Sequence, residues 1–228
     1  MATRVLVLDG GFAGLAALNH LVGARDGGMD LELQLVDRDL YHTFAPALPD
    51  LISARLSPDH LQYNLEDHCA RLDVQFTHAP VRSMDLARRE IRTDDGDINA
   101  DYVIIAVGSE DNYFGDDASR EHALGMKDLE SATGIHRQVA QKAQRLREGR
   151  PAGATIVVGG GYTGYEAASH TAHYLHKITG LGYRRLAEVC PTMIVEVADD
   201  TLRNCEEPIR RWSRRAIDQL GVEVRTGV

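Results

Sequence analysis

The chain opens with an uninterrupted apolar run, Val5 to Leu8, that meets a Gly-rich turn and then an Ala/Leu-rich segment with helical spacing over residues 12–22. A continuous apolar run bounded by a turn predicts a buried strand, and the change to a period near 3.6 predicts a helix. Residues 31–37, LELQLVD, alternate and predict a second strand that ends on Asp37. Pro46, Pro49 and Pro58 punctuate the following stretch, which predicts loop with one short helix at most. Short alternating runs around the turn DDGD (94–97) predict three antiparallel strands. After them comes a buried strand over 102–106, ending at Gly108. Residues 117–150 are polar and close on REGRPAG, a pattern that suits a helix leading to a domain junction.

The opening pattern then returns. ATIVVGGGYTGYEAASHTAHYL (154–175) is again strand, Gly turn and helix, and TMIVEV (192–197) is again an alternating strand, carrying Glu196. An internal repeat of one strand–turn–helix–strand unit points to an α/β fold with two copies of that unit. Between them, HKITGLGYRRLAEVCP is read as the remainder of a long helix and its return loop, and LGVEVRTGV as a further strand.

Each copy carries part or all of the G-x-G-x-x-G fingerprint of dinucleotide-binding turns. The second has all three glycines, Gly159, Gly161 and Gly164; the first has Gly11 and Gly14, but Asp9 stands where the first glycine belongs. An acid at a strand end about 20 residues beyond the last glycine accepts the ribose hydroxyls of a bound nucleotide. Asp37 meets that spacing and Glu196 exceeds it. Glycine at the first position lets the strand turn tightly under a pyrophosphate, so Asp9 brings both bulk and negative charge to the cradle.

Charge and composition narrow the partners. A formal net charge of −9 argues against nucleic acid, whose phosphates need a basic surface. No apolar run approaches the roughly 18 residues of a membrane span. A strand that starts by Arg4 leaves no room for a leader, and a cytoplasmic protein is expected. Cys69, Cys190 and Cys205 are odd in number with no C-x-x-C pair, which suits buried thiols rather than a disulfide framework or zinc site. His170, His173 and His176 recur at every third position, but Ala168, Ala172 and Leu175 supply the core stripe of that helix. The histidines are therefore expected on a surface face, with no metal. In RRWSRR (210–215) a solvated helix face with Trp212 as apolar anchor is expected.

Two such units separated by a meander resemble the two-dinucleotide flavoprotein oxidoreductases. GGFAGL…LVDRDLYHTFAPALPDL and VVGGGYTGYEAA are most similar to type II NADH:quinone dehydrogenases. Dithiol-disulfide reductases and thioredoxin reductases carry cysteine pairs that this chain lacks. Sulfide:quinone reductases look similar but need redox cysteines, one of them beside the second Gly turn.

The resemblance implies two Rossmann-like domains, an FAD domain over 1–116 and an NAD domain over 117–228, the second inserted in the first. Gly11, Phe12, Ala13 and Gly14 would receive the FAD pyrophosphate on a helix N-terminus. Asp37 would take its ribose, Arg38 would also bind the cofactor, Val81 would meet the adenine, Pro46 would lie near the flavin ring, and Gly108 would allow close backbone approach. Gly159, Gly161, Thr163 and Gly164 would receive NADH. Glu196 would hold its ribose, with no arginine at hand for the 2′-phosphate of NADPH. Glu166 would be the catalytic carboxylate between nicotinamide and flavin, with a quinone as acceptor.

The resemblance further implies a following segment, which would complete the NAD domain, return to the FAD domain and provide dimer or membrane contacts. The sequence given would then be incomplete at its C-terminal side. Two other readings stand beside this one: a non-catalytic nucleotide-binding or regulatory module, and a sulfide:quinone reductase-like flavoprotein.

Overall fold

The structure is a computed structural model that describes residues 2–113 and 115–228. In chain order its elements are β1 (Thr3–Leu8), α1 (Phe12–Asp26), β2 (Leu31–Asp37), β3 (Tyr41–Thr43), α2 (Leu48–Ile52), β4 (Gln62–Asn64) and α3 (Leu65–Arg71). There follow β5 (Gln75–His78), β6 (Val81–Asp85), β7 (Glu90–Thr93), β8 (Gly96–Asn99), β9 (Tyr102–Ile105), α4 (Asp117–His122) and α5 (Leu129–Arg147). The chain then forms β10 (Thr155–Val158), α6 (Tyr162–Thr179), α7 (Tyr183–Val189), β11 (Thr192–Glu196), α8 (Glu207–Gln219) and β12 (Glu223–Thr226). They make two compact units. The first comprises residues 1–44 and 62–112, and the second 45–61 and 113–228.

The first unit is built on a parallel sheet in the order β5-β2-β1-β9. Its centre, β1, pairs with β2 from Thr3↔Leu31 to Leu8↔Val36 and with β9 from Val5↔Tyr102 to Leu8↔Ile105. Alternation explains why the apolar run is continuous. Val5 and Val7 pack with Leu18 and Val22 of α1, while Leu6 and Leu8 pack on the opposite face with Ile91 and Ala100 of the meander side. Each fully buried Leu contributes about 1.5–3 kcal/mol, which fixes the register of the central strand. The meander β6-β7-β8 is antiparallel, as the sequence predicted. β9 is not the buried strand expected from its apolar sequence. It pairs with β1 alone, and Tyr102 and Ile105 are 66% and 55% exposed.

The second unit repeats the pattern with β10-β11-β12, all parallel. Helix α6 is buried on two sides. Ala168 and Ala172 pack with Ile194 and Ile217, whereas Ala167 and Leu175 pack with Ile52, Val139 and Leu186. Residues 45–61 join this unit, although the sequence reading ran the first domain without a break through 116. Leu48, Leu51 and Leu61 pack around Ala132 of α5, and Ile52 packs against α5 and α6. Asp128 caps α5 by accepting from the Ser131 N–H at 2.7 Å. Helix α6 ends at Gly180, whose φ of +72° is the left-handed cap that breaks the helix. The helix thus extends through Thr179 as expected, and a separate helix, α7, stands where the return loop was expected. Trp212 is not an anchor but 71% exposed. The buried contact of α8 is Ile217, about 140° around the helix from Trp212 at 3.6 residues per turn.

Candidate functional site: two nucleotide-binding turns and a carboxylate cluster

Both Gly turns lie at the C-terminal ends of the first strands of their sheets, where open α/β sheets bind ligands. A shallow cavity of about 790 Å³ lined by Arg4, Glu32, Arg89 and Asp101 sits by the other end of β1 and has no part in the turns.

In the second turn the backbone N–H of Gly159 donates to the Val195 carbonyl at 2.8 Å, tying the end of β10 to β11. Gly159 adopts φ +104°, a conformation that favours glycine. A Cβ on Gly164 would collide with the Gly159 carbonyl oxygen, so the helix can approach the strand this closely only with glycine there. Gly161 is the N-cap of α6, with open space where its Cβ would stand. Thr163 is exposed in the first turn of α6. The Glu196 carboxylate accepts from the N–H groups of Gly160 at 2.7 Å and Ala198 at 2.9 Å. Those bonds, Ala198's first, hold its carboxyl below the usual carboxylate range, with help from the Arg203 charge. The sequence reading found no arginine near Glu196. Arg203 corrects it: the chain returns along 197–203, and the Leu202 N–H donates to the Gly160 carbonyl at 2.8 Å.

The first turn reproduces this geometry bond for bond. The Asp9 N–H donates to the Val36 carbonyl at 2.8 Å, and a Cβ on Gly14 would collide with the Asp9 carbonyl oxygen. The buried Asp37 carboxylate accepts from Gly10 N–H at 2.6 Å and Asp39 N–H at 2.8 Å. Burial outweighs these bonds and, with repulsion from Asp9 and Asp39, pushes the Asp37 carboxyl above its ordinary value. Asp9 takes φ +81°, the backbone of the glycine it replaces. Its Oδ1 folds inward and accepts from the Gly11 N–H at 2.7 Å, so a carboxylate already occupies a donor at the N-terminus of α1.

Around this turn Phe12 meets His42 and Phe44 edge-on, at centroid distances of 4.8 and 5.6 Å, and is half exposed. Ala13 is exposed, and Arg38 points to solvent beside Asp39. Val81 begins β6 just beyond Ala79, whose N–H donates to the Asp37 carbonyl. Gly108 (φ +67°) follows β9 shortly after Ala106, whose N–H donates to the Leu8 carbonyl. Pro46 is grouped differently, since it lies in the second unit on the short turn that enters α2.

Glu166 stands one turn into α6, at the exposed rim of a polar cluster. Desolvation, and then the Asp50 charge, push its carboxyl above the ordinary range. Of the three histidines behind it, His173 is exposed as the core stripe implied, whereas His176 is half-buried and His170 is drawn inward. His170 is largely buried: Nδ1 is 2.7 Å from the Ser53 Oγ and Nε2 is 3.9 Å from Asp50 Oδ1. His173 Nδ1 pairs with the Tyr183 hydroxyl at 2.7 Å, and His176 Nδ1 lies 2.8 Å from the Leu181 carbonyl. Burial of α6 on two sides brings these flanks into contact with α2 and α7. Cys69 and Cys190 are buried, and burial pushes the Cys69 thiol up to about 11, so neither supplies a thiolate readily. Cys205 is half-buried beside Tyr162.

Sequence reasoning missed Gly10 and Gly160, whose N–H groups bind the two strand-end acids. A Cβ at Gly10 would press on Leu65, and one at Gly160 on Thr201. The signal was present, because both copies carry a second glycine immediately before the helix N-cap. His42, whose Nδ1 lies 3.0 Å from the Gly10 carbonyl, and Ser53, Asp50 and Arg203 had no local pattern to reveal them.

The profile of the pyridine nucleotide-disulphide oxidoreductases matches residues 3–228. The type II NADH:quinone oxidoreductase of Staphylococcus haemolyticus (strain JCSC1435) is 24% identical over 96% of this chain and 55% of its own. For the external alternative NAD(P)H-ubiquinone oxidoreductase B4, mitochondrial, of Arabidopsis thaliana, the figures are 22%, 98% and 41%. This chain thus spans about half the length of these relatives. Among solved structures, NDH2 from Plasmodium falciparum in complex with NADH superposes with a TM-score of 0.83 at 20% identity, over 99% of this chain and 48% of that one. The sulfide:quinone oxidoreductase from Aquifex aeolicus gives 0.79 at 19%, over 100% and 51%. These two likenesses speak to the fold, an α/β architecture with Rossmann-like parallel sheets. Among the described residues no helix is long and apolar enough to cross a membrane. By the match across its length and the duplicated Gly turn within it, the chain belongs to the pyridine nucleotide-disulphide oxidoreductase family.

Proposed function

We propose that this chain carries the nucleotide-binding core of an FAD-dependent NADH:quinone oxidoreductase. The observation that carries the reading is the duplicated cradle: two Gly turns, each closed by a strand-end acid bonded to the turn's own N–H. One copy would hold FAD and the other NADH, in domains over 1–116 and 117–228, the second inserted in the first. The second cradle fits such a group, with open space at Gly161 on the N-terminus of α6, and the first fits it once the Asp9 carboxylate moves off the Gly11 N–H. Gly11, Phe12, Ala13 and Gly14 would receive the FAD pyrophosphate, and Asp37 the ribose, with Arg38, Val81, Pro46 and Gly108 around the rest. Gly159, Gly161, Thr163 and Gly164 would receive the NADH pyrophosphate, and Glu196 its ribose. The order of sites is the one the resemblance to type II NADH:quinone dehydrogenases implies, and one structure similar in fold is solved in complex with NADH.

Bound flavin supplies the chemistry that joins the two, taking a hydride equivalent from NADH and giving two electrons to a quinone. The protein's own residues bind, orient and manage protons. Glu166, whose carboxyl desolvation and then the Asp50 charge raise above its ordinary value, is the residue suited to pass a proton to the quinone oxygen. Glu196 disfavours a 2′-phosphate by charge, which selects NADH over NADPH despite Arg203 nearby. Buried thiols at Cys69 and Cys190 make a sulfide:quinone reductase chemistry the weaker reading.

The test is anaerobic addition of NADH to the protein reconstituted with FAD, followed by a soluble quinone. Loss of the oxidised flavin band with NADH and its return with quinone is the expected result. A bound flavin that NADH leaves oxidised would overturn the assignment.

A further inference from the structure

The residues around Glu166 belong to two elements far apart in sequence. Helix α2 contributes Asp50, and the residues just after it contribute Ser53 and Arg55; α6 contributes Glu166 and His170, one helical turn apart. Residues four apart on a helix share a face, so Glu166 and His170 look toward the same neighbour. His170 is clamped there between the Ser53 hydroxyl at 2.7 Å and the Asp50 carboxylate at 3.9 Å. Asp50 is also paired with Arg55 at 3.4 Å. Ser53 is buried and completes its bonding through the Asp50 carbonyl, at 3.3 Å. Asp50, held against His170, therefore lies by the α6 face that also carries Glu166, and its charge reaches the Glu166 carboxyl.

We propose that Asp50 is a positioning residue for the Glu166 proton, and that Ser53, His170 and Arg55 hold its carboxylate against α6 for that purpose. The proposal rests on the reading that Glu166 hands a proton to the acceptor. Two carboxylates at one site resist carrying two negative charges. When the Glu166 O–H bond breaks and the acceptor O–H bond forms, the Glu166 anion faces Asp50. Recapture of a proton from water is then favoured, and Glu166 is reset for the next turnover. His170 is kept largely neutral by burial, which outweighs the pull of Asp50, while Arg55 and His173 act in the same direction as burial. His170 therefore leaves the Asp50 charge largely in place, and Arg55, whose side chain is 71% exposed, offsets it only weakly through solvent.

The experiment is an NMR titration of the 228-residue chain with ¹³Cδ-labelled glutamate, Glu166 being assigned by Glu166→Gln. Wild type should titrate above ordinary glutamate, Asp50→Asn should shift the midpoint downward, and Asp50→Glu should restore it. A second measurement is differential: added salt should lower the Glu166 midpoint more in wild type than in Asp50→Asn, because only wild type has the Asp50 repulsion to screen. A Glu166 midpoint that is unchanged in Asp50→Asn would overturn the proposal. In the FAD-reconstituted protein, the alkaline limb of quinone reduction should move to lower pH in Asp50→Asn. If the NMR midpoint moves and this limb does not, Asp50 still positions the proton, and it is the catalytic reading of Glu166 that fails.

Discussion

Replacing Asp9 by glycine separates what the first turn has kept from what it has lost. In the structure the Asp9 carboxylate faces inward, on the Gly11 N–H at 2.7 Å, where the second copy has no side chain at all. An anionic ligand must displace that oxygen or sit beside it. At about 5 Å and an effective dielectric near 20, the repulsion is about 3 kcal/mol per phosphate charge, reduced by solvent and salt. Asp9→Gly should therefore strengthen FAD binding by about 1–3 kcal/mol, roughly 5- to 150-fold in Kd. Stability should change little. Relief of the left-handed backbone is worth roughly 1–2 kcal/mol, and it is offset by losing a charge-assisted hydrogen bond worth about 1.5–3 kcal/mol. Asp9→Asn keeps the bulk and an acceptor but removes the charge, so it should recover only part of the affinity. The assay is FAD titration followed by flavin fluorescence at two salt concentrations, with the wild-type deficit narrowing at high salt. Equal FAD affinity in wild type and Asp9→Gly would refute the reasoning.

Two more substitutions probe the second turn. Gly164→Ala drives a Cβ into the Gly159 carbonyl and should destabilise by about 1–3 kcal/mol, whereas Gly161→Ala meets open space and should stay within about 0.5 kcal/mol; urea unfolding compares them. Glu196→Gln should bring NADPH affinity close to that of NADH, because Arg203 then faces a 2′-phosphate without a competing carboxylate; titration of both nucleotides reads this. The same variant should flatten the acid limb of the stability profile. A carboxyl held below its unfolded value contributes stability above ordinary glutamate pH, and that contribution is lost as pH falls.

The parts legible in sequence were those governed by local rules. Continuous apolar runs located β1 and β10, and the positions of Gly14, Gly164, Asp37 and Glu196 placed the turns and their closing acids. Charge around Glu196 and Glu166 was not legible, because Arg203, Asp50 and Ser53 arrive from loops and helices that no periodicity links to those sites. Apolar sequence also overstated burial at β9 and Trp212. A strand's burial depends on how many neighbours it has, and a lone aromatic on a charged helix follows whichever face Ile217 selects. Helix α6 erred the other way. Its stripe of alanines was read correctly, but packing on a second side drew His170 inward.

The account's central claim is that the two turns hold two different nucleotides, and calorimetric titration of FAD and NADH into the chain and two blocked variants tests it most directly. Gly11→Asp and Gly161→Asp each place a carboxylate at the N-cap of one helix, a residue helices favour there. Wild type should bind one FAD and one NADH per chain. Gly11→Asp should lose FAD and keep NADH, and Gly161→Asp should do the reverse. Competition of the two nucleotides for a single site, or loss of both in either variant, would contradict it.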